Sequence, residues 1–256
     1  MRIGIARMQT TELTAKSIKE TLSDANIESF YLKNNSQVTM ADLIIVLGGD
    51  RGVRNYFHRS LDVDTPVLGI SESESSGFLS QIELRDLSSY LNRIKKQDYV
   101  IENAPRIGVK IDGKKAYPVL NDVAIFSSKS ATLMEHVLHV NGEEIWHDNS
   151  DGVIVSTPIG SSAYSMSAGG PVIFQTADVF GIISVNSLDT TRRPLIVSNS
   201  SIIEIDGISS RLHCDVVLDG IDRFKVSEKI EVTRFTPPAR IVRLNTDSTA
   251  VSALTK

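Results

Sequence analysis

The sequence predicts two domains, the first α/β and the second mostly β. Over the first hundred residues short apolar runs alternate with helix-type apolar stripes, whereas the rest breaks into short strand-like pieces separated by turn signals. A chain of 256 residues is long enough to give each domain its own core. We expect residues 1–97 to form the first domain and residues 98–256 the second, with a return of segment 229–244 to the first domain as an open alternative.

The first third of the chain has the order strand, helix, strand. Residues 2–6 and 29–32 are short strand-like segments. Between them, residues 11–25 carry apolar side chains at three- and four-residue spacing, which indicates one buried helix face: Ala15, Ile18, Leu22 and Ala25. This order is typical of a Rossmann-like domain, in which helices cover a parallel sheet.

The clearest strand is ADLIIVL at residues 41–47, which is apolar on both faces and ends in Gly48-Gly49-Asp50. In open α/β sheets ligands lie beyond the carboxyl ends of the strands, so Asp50 stands where chemistry is expected. The two glycines allow a sharp turn in which phosphate oxygens can reach backbone amides. An ordinary strand-to-helix turn has the same composition, so this triplet alone leaves both interpretations open.

The first domain continues with a strand at residues 67–70 and the polar loop SESESSGFLS, which contains Phe78. A helix with a regular apolar stripe follows: Leu84, Leu87, Leu91 and Ile94. We expect this helix to close the first domain.

The second domain begins with short pieces that alternate or run apolar between residues 106 and 140. Asp112-Gly113 and Asn141-Gly142 are hairpin signals within and after them. The pair Asn121-Asp122 lies inside the predicted strand at residues 115–126. Two adjacent polar side chains are costly to bury without partners, so we expect this pair to contact a ligand or the segment at residues 151–172.

The stretch from Asp151 to Val172, here called the elbow, reads DGVIVSTPIGSSAYSMSAGGPV. It crosses an apolar run, breaks at Pro158 and Gly160, and continues through small residues. Small side chains in a turn and the following helix let a bulky ligand approach the backbone, and the first amides of that helix suit an anionic or hydroxyl-rich ligand. A Ser/Gly-rich surface loop is the alternative interpretation.

Together with Gly48-Gly49-Asp50 and Asn121-Asp122, the elbow resembles the NAD kinase family. In that family an elbow of the form DG-(apolar)3-STPxGSxAYSxSAGGP follows a GGDG loop and an Asn-acidic pair, in this order. The resemblance covers residues 43–220 and implies transfer of a phosphoryl group from ATP to the 2′-hydroxyl of the adenosine ribose of NAD, giving NADP. It also implies Mg²⁺ or another divalent cation with ATP, and a homodimer or homotetramer.

The resemblance further implies roles for individual residues. Asp50 would orient and deprotonate the attacking hydroxyl, and Gly48 and Gly49 would bind phosphate. Phe78 would form a wall beside the adenosine, with ordinary core packing as the alternative. The remaining contacts to NAD would come from the second domain: Asn121, Asp122, Asp151, Ser162, Ala163 and Tyr164. Of these, Asp151 would bind the nicotinamide end across a subunit interface.

Four positions depart from the family pattern. Arg51 stands where the family has glycine, and Ser71 stands where it has asparagine. Asp122 replaces glutamate, and Ile159 replaces threonine or serine. If position 51 needs a positive φ, arginine there costs about 1–2 kcal/mol unless the loop re-registers onto Gly52. Arg51 could instead bind the transferred phosphate, which suits the donor fork of a guanidinium, or be a solvated charge. Arg54 is a further phosphate candidate.

Because of these departures, the alternative function is a catalytically inactive NAD(P)-binding sensor of the same fold. A lipid kinase of the same broader superfamily is a third hypothesis. The AYSMSAGGP segment and the lack of a membrane-binding stripe disfavour it.

Composition narrows the remaining possibilities. A net charge of −4 disfavours a nucleic-acid partner, and no apolar run approaches the roughly 20 residues of a membrane span. The single cysteine, Cys214, cannot form an intramolecular disulfide and fits a cytoplasmic protein. His136 and His139 would face opposite sides of a strand, so we expect no protein-held metal.

Overall fold

The computed structural model describes residues 1–8, 10–32, 35–61, 64–72 and 77–244. The described chain divides into two compact units, one formed by residues within 1–104 and 237–244, the other by residues 105–236. None of the helices within the described ranges combines the length and apolar character that crossing a bilayer requires.

The first unit is an α/β arrangement whose central strands are parallel. Its elements are β1 (Arg2–Arg7), α1 (Glu12–Asp24), β2 (Glu28–Tyr31), β3 (Leu43–Leu47), α2 (Gly49–Arg59), β4 (Val67–Ser71), β5 (Ile82–Glu83), α3 (Leu87–Lys95) and the beginning of β6 (Val100–Ile111). The strands lie in the order β4-β3-β1-β2, with β5 pairing to β4. Thr11 caps α1 by accepting a hydrogen bond from the amide of Thr14. Of the predicted apolar face, Ala15, Ile18 and Leu22 are buried, whereas Ala25 follows the end of the helix and is half-buried.

The second unit consists almost entirely of antiparallel strands. Its elements are β7 (Lys114–Lys115), β8 (Asp122–Ser127), β9 (Met134–Val140), β10 (Glu143–Ser150), β11 (Gly152–Ser156), α4 (Tyr164–Ser167), β12 (Val179–Val185), β13 (Leu195–Ser198), β14 (Ile203–Ser210), β15 (Cys214–Leu218), β16 (Asp222–Val226) and the first part of β17 (Ile230–Arg243). One sheet has the order β13-β12-β11-β8-β15-β16, and the other joins β10, β9, β14 and β17. Both sheets contribute to one apolar core, for example through Val153, Phe180 and Ile205.

The two predicted hairpins are present. Asp112 and Gly113 have φ of 48° and 78°, and Asn141 and Gly142 have φ of 55° and 83°. Positive φ at both central residues gives a turn whose twist matches that of the flanking strands. The predicted fold class, α/β followed by mostly β, is therefore confirmed.

Strand β17 begins in the second unit and ends in the first. Its residue Ile241 pairs in parallel with Val67 of β4, and Val242 and Leu244 are buried in the apolar core of the first unit. The last described residues therefore complete a core that is otherwise built from the first hundred.

Candidate active site

A glycine loop joins β3 to α2. Gly48 and Gly49 have φ of 102° and 64°, which L-residues rarely adopt. A Cβ at Gly48 would lie 2.0 Å from the carbonyl oxygen of Met8, and one at Gly52 would lie 2.3 Å from that of Leu47. Close backbone packing therefore requires glycine at positions 48 and 52.

The structure corrects the expectation for Arg51. It lies in the first turn of α2, is exposed, and is absent from the positive-φ residues of the described chain. Neither the backbone strain nor the re-registration onto Gly52 occurs, because Gly48 and Gly49 already make the turn. No described residue forms a hydrogen bond or ion pair with the Arg51 side chain, which leaves its guanidinium available to a ligand.

Asp50 does not project freely from the loop; its carboxylate is held by the segment 77–80. Oδ1 accepts three hydrogen bonds, from the amides of Leu79 at 2.9 Å and Ser80 at 2.8 Å and from the Ser80 hydroxyl at 2.8 Å. Oδ2 accepts one, from the amide of Phe78 at 2.8 Å. A carboxylate offers about four acceptor positions over its two oxygens. Oδ2 can therefore accept a further hydrogen bond, whereas the acceptor positions of Oδ1 are already used.

Gly77 and Phe78 complete the surroundings of this carboxylate. Gly77 packs directly on it, since a Cβ there would lie 2.0 Å from Oδ1 of Asp50. Phe78 is half-buried and lies outside the apolar core of the first unit, with the Arg243 guanidinium 5.2 Å from its ring centroid. Its position therefore disfavours the core-packing interpretation and leaves the residue partly exposed.

In the second unit the pair Asn121-Asp122 lies at the start of β8, not inside a strand as predicted. The buried Asp219 carboxylate accepts the amides of Leu120 at 2.9 Å, Asn121 at 2.7 Å and Asp122 at 3.3 Å, which holds the chain where it enters β8. The Asn121 side-chain oxygen is buried and has no hydrogen-bond partner among the described residues. A buried acceptor without a partner is costly, so this oxygen is suited to accept a hydrogen bond from a ligand.

The elbow packs against this pair. The Thr157 hydroxyl donates to the carbonyl of Leu120 at 2.6 Å and accepts the amide of Gly160 at 3.0 Å. Thr157 also donates its amide to the carbonyl of Asn121 at 2.9 Å, and a Cβ at Gly160 would lie 2.0 Å from that oxygen. The structure thus brings Asn121 and the turn of the elbow together.

The helix of the elbow is much shorter than the sequence suggests. A 3-10 turn at Gly160–Ser162 leads into α4, which has only four residues, so a helix-terminus anion site is not present. The serine hydroxyls are also engaged locally: Ser161 donates to the carbonyl of Pro158 at 2.7 Å and Ser162 to that of Ile159 at 3.1 Å. Their main structural effect is to fix the turn.

Ala163 and Tyr164 follow this turn. Tyr164 is 48% exposed, and its ring centroid lies 5.9 Å from that of Phe126. Asp151, at the start of the elbow, accepts a hydrogen bond from the Asn186 side chain at 2.8 Å. These side chains present an aromatic surface and a fixed carboxylate within the second unit.

Cys214 and the possible metal ligands were the other reactive side chains considered in the sequence. Burial raises the pKa of the Cys214 thiol, with Asp215 adding to the effect, so the thiol stays protonated and unreactive. Across the described part of the chain, no three His, Cys, Asp or Glu side chains are grouped so as to hold a metal ion.

Comparisons with known proteins cover nearly the whole chain. Residues 4–99 match the ATP-NAD kinase N-terminal domain, and residues 120–244 match the ATP-NAD kinase C-terminal domain. An NAD kinase of Methanopyrus kandleri is 31% identical over 202 residues, which are 79% of this chain and 72% of that protein. The chain belongs to the NAD kinase family. An NAD kinase of Clostridium perfringens is 32% identical over 80% of this chain and 75% of its own length.

Solved structures agree with this assignment. The crystal structure of an NAD kinase from Archaeoglobus fulgidus in complex with ATP has a TM-score of 0.82 and 25% identity, over 100% of this chain and 97% of that chain. Yeast NADH kinase complexed with NADH has the same TM-score of 0.82 at 19% identity, over 97% of this chain and 84% of that chain, and this match shows the fold.

Within this NAD kinase fold, sequence reasoning missed several residues that position the predicted ones: Gly77, Ser80, Thr157 and Arg243. The STP segment was a usable signal for Thr157, because a threonine hydroxyl can bind nearby backbone groups and support a turn that contains proline and glycine. The others act over long sequence separations, for which the sequence offers no local signal.

Proposed function

We propose that this protein transfers the γ-phosphoryl group of ATP to the 2′-hydroxyl of the adenosine ribose of NAD, giving NADP and ADP. Membership of the NAD kinase family supports this reaction. The observation that carries the proposal is the geometry of Asp50, whose carboxylate is fixed by four hydrogen bonds at the carboxyl end of a central parallel strand.

In the proposed mechanism Oδ2 of Asp50 accepts the proton of the ribose hydroxyl. Oδ1 already accepts three hydrogen bonds, whereas Oδ2 accepts one. As the hydroxyl oxygen bonds to the γ-phosphorus, the bond to the β–γ bridging oxygen breaks and ADP leaves. Phosphoryl transfer needs positioning and charge neutralisation more than covalent chemistry. A carboxylate that is already held in place provides the positioning.

Phosphate would be bound by the loop after β3. Gly48 and Gly49 let phosphate oxygens approach the backbone, and the unpaired guanidinium of Arg51 is available for the transferred group. Mg²⁺, or another divalent cation, would enter as part of the ATP substrate and neutralise its charge. Mg²⁺ often keeps several waters and binds through substrate phosphates, so it needs no all-protein cage.

Each unit carries proposed contacts to NAD. Phe78 of the first unit is partly exposed, and the unpartnered buried oxygen of Asn121 suits a hydroxyl or amino donor of the adenosine. The other proposed contacts are Asp122, Asp151, Ser162, Ala163 and Tyr164. For Ser162, whose hydroxyl already donates to Ile159, we propose that the oxygen acts as an acceptor.

We also propose a homodimer or homotetramer in which Asp151 reaches the nicotinamide end of NAD bound by a partner subunit. Asn186 holds this carboxylate in one orientation, which favours a fixed contact. A cytoplasmic location is proposed as well, since a lone thiol such as Cys214 is compatible with a reducing compartment.

The proposal is tested by following NADP formation from NAD, ATP and Mg²⁺ with an NADP-specific dehydrogenase, and by repeating the assay with inorganic polyphosphate as donor. Formation of NADP supports the kinase; NAD binding by calorimetry without turnover supports the inactive sensor, which no present observation favours.

An Asp50→Asn variant separates a catalytic from a structural role. The new NH2 group either faces the amide of Phe78 or displaces a donor at Oδ1, so some loss of stability is expected. If Asp50 is the base, turnover is lost while NAD binding persists in the folded protein. Parallel loss of both assigns Asp50 to structure alone.

A further inference from the structure

Arg243, near the end of β17, has a buried side chain that binds the segment around Asp50. It is 5% exposed. Its Nε donates to Oε2 of Glu102 at 2.6 Å, and its Nη1 donates to the carbonyl oxygen of Phe78 at 2.6 Å. The guanidinium carbon lies 5.2 Å from the centroid of the Phe78 ring, within the range of a cation–π contact. All of these residues belong to the first unit.

The bond to Phe78 bears directly on the candidate catalytic carboxylate through one peptide group. The carbonyl of Phe78 and the amide of Leu79 are two ends of the same planar unit. Arg243 binds the oxygen of this unit, and Oδ1 of Asp50 accepts its N–H at 2.9 Å. Because the unit is rigid, fixing its carbonyl also fixes the direction of the N–H that holds Asp50.

Arginine suits this arrangement for a geometric reason. Its donors point in fixed directions within one plane, so a single side chain binds Glu102 through one edge and Phe78 through another while its face covers the ring. Lysine carries the same charge on a single nitrogen and cannot keep that geometry. The neighbouring residue adds a further tie, since the amide of Leu244 donates to the Gln81 side chain at 3.0 Å.

We propose that Arg243 is a positioning residue for phosphoryl transfer, which sets the segment 77–80 and through it both the Asp50 carboxylate and the Phe78 ring. This rests on the proposed roles of Asp50 in catalysis and of Phe78 in NAD binding. Arg243 touches neither substrate; its effect on turnover passes through the peptide group between Phe78 and Leu79.

The test uses the full chain with Arg243→Met, which keeps bulk and removes the donors, and Arg243→Lys, which keeps the charge. Displacement of a reacting group by about 1 Å can cost on the order of 10²-fold in rate, so we expect kcat to fall by about that factor in the Met variant and by about tenfold in the Lys variant. KM for NAD should rise severalfold as Phe78 loses its support. The matched control is Arg240→Met, on the same strand, which loses an ion pair to Asp64 at 3.1 Å and should keep its kcat.

A second readout does not depend on activity. Hydrogen exchange of the peptide spanning residues 77–82 reports the amides of Phe78, Leu79 and Ser80, which all donate to Asp50. Arg243→Met should speed exchange in this peptide while α1 and the strands of the second unit stay protected.

A folded Met variant with wild-type kcat, KM and local exchange overturns the proposal. So does a variant whose active fraction falls while kcat per active site is unchanged, because that is a purely structural effect. If the Met variant does not fold, the Lys variant is judged by the same criteria. If the wild-type protein forms no NADP, the proposed function has failed, and the exchange experiment still decides whether Arg243 holds the segment.

Discussion

Replacing Gly77 with alanine should displace the Asp50 carboxylate. The new Cβ would lie 2.0 Å from Oδ1, 2.4 Å from Cγ and 2.6 Å from Oδ2 of Asp50. Such distances are about 1 Å or more inside an ordinary contact. Gly77 is absent from the described residues with positive φ, so alanine is allowed by its backbone and the carboxylate is the obstacle.

The close contacts of the new Cβ determine whether Gly77→Ala stabilises or destabilises the protein. A Gly→Ala change at a compatible position stabilises a protein by about 0.4–1 kcal/mol, whereas forcing extra atoms into a packed position costs about 1–3 kcal/mol. The carboxylate must also loosen some of its four hydrogen bonds, which do not relax independently. We therefore expect a net loss of about 1–2 kcal/mol in the free energy of unfolding. A shift of about 1 Å at Asp50, the proposed base, should lower kcat by about 10²-fold.

The experiment combines urea unfolding with steady-state kinetics of NADP formation. Gly108→Ala is the control, because its Cβ would lie 3.5 Å from Oγ1 of Thr233, an ordinary contact, and its kcat should match wild type. A folded Gly77→Ala protein whose kcat stays within about threefold of wild type would refute the reasoning, since Asp50 would then not need its present position.

Three further predictions follow from individual contacts. Thr157→Val leaves the carbonyl of Leu120 and the amide of Gly160 without their partner, and urea unfolding should show a loss of about 2–4 kcal/mol; a change under about 0.5 kcal/mol contradicts the role given to this hydroxyl. Arg51→Ala removes the proposed phosphate-binding guanidinium, so KM for ATP should rise by about tenfold while KM for NAD stays unchanged. If the variant and the wild-type protein have the same KM for ATP, Arg51 is only a solvated charge. Burial lowers the pKa of His136 below its ordinary value of 6.5, with Asp148 opposing the shift. As the pH falls, His136 is therefore protonated in the unfolded chain before it is protonated in the folded protein. The free energy of unfolding should decrease as pH drops below about 6.5. Unfolding at pH 5 and 7.5 should show that His136→Met removes most of this loss, whereas an undiminished pH dependence would place its origin elsewhere.

Local patterns were enough to predict much of the framework. The strand at residues 43–47, the apolar face of α1 and the two hairpins follow from spacing and turn chemistry. The elbow and the Gly48-Gly49-Asp50 loop were found because their motifs are contiguous in sequence.

Contacts between distant residues could not be predicted. Asp50 is held by amides 28–30 residues away, and the carbonyl of Phe78 is bound by a side chain 165 residues away. The resemblance implies that Ser162 contacts NAD, but the sequence does not show that its hydroxyl donates to the carbonyl of Ile159. Likewise, Arg51 looked strained only because the sequence does not show that Gly48 and Gly49 had already made the turn.

The late position of β17 has a consequence for biosynthesis. Domains usually begin to fold as they leave the ribosome, amino end first. Here the nascent first unit would still lack Val242, Arg243 and Leu244 while the intervening strands are translated, so an apolar face would stay open and the segment 77–80 would lack its hydrogen bond from Arg243. The first unit can therefore reach its native structure only after residues 241–244 have been translated, and a polypeptide truncated at about residue 240 should be inactive and prone to aggregate.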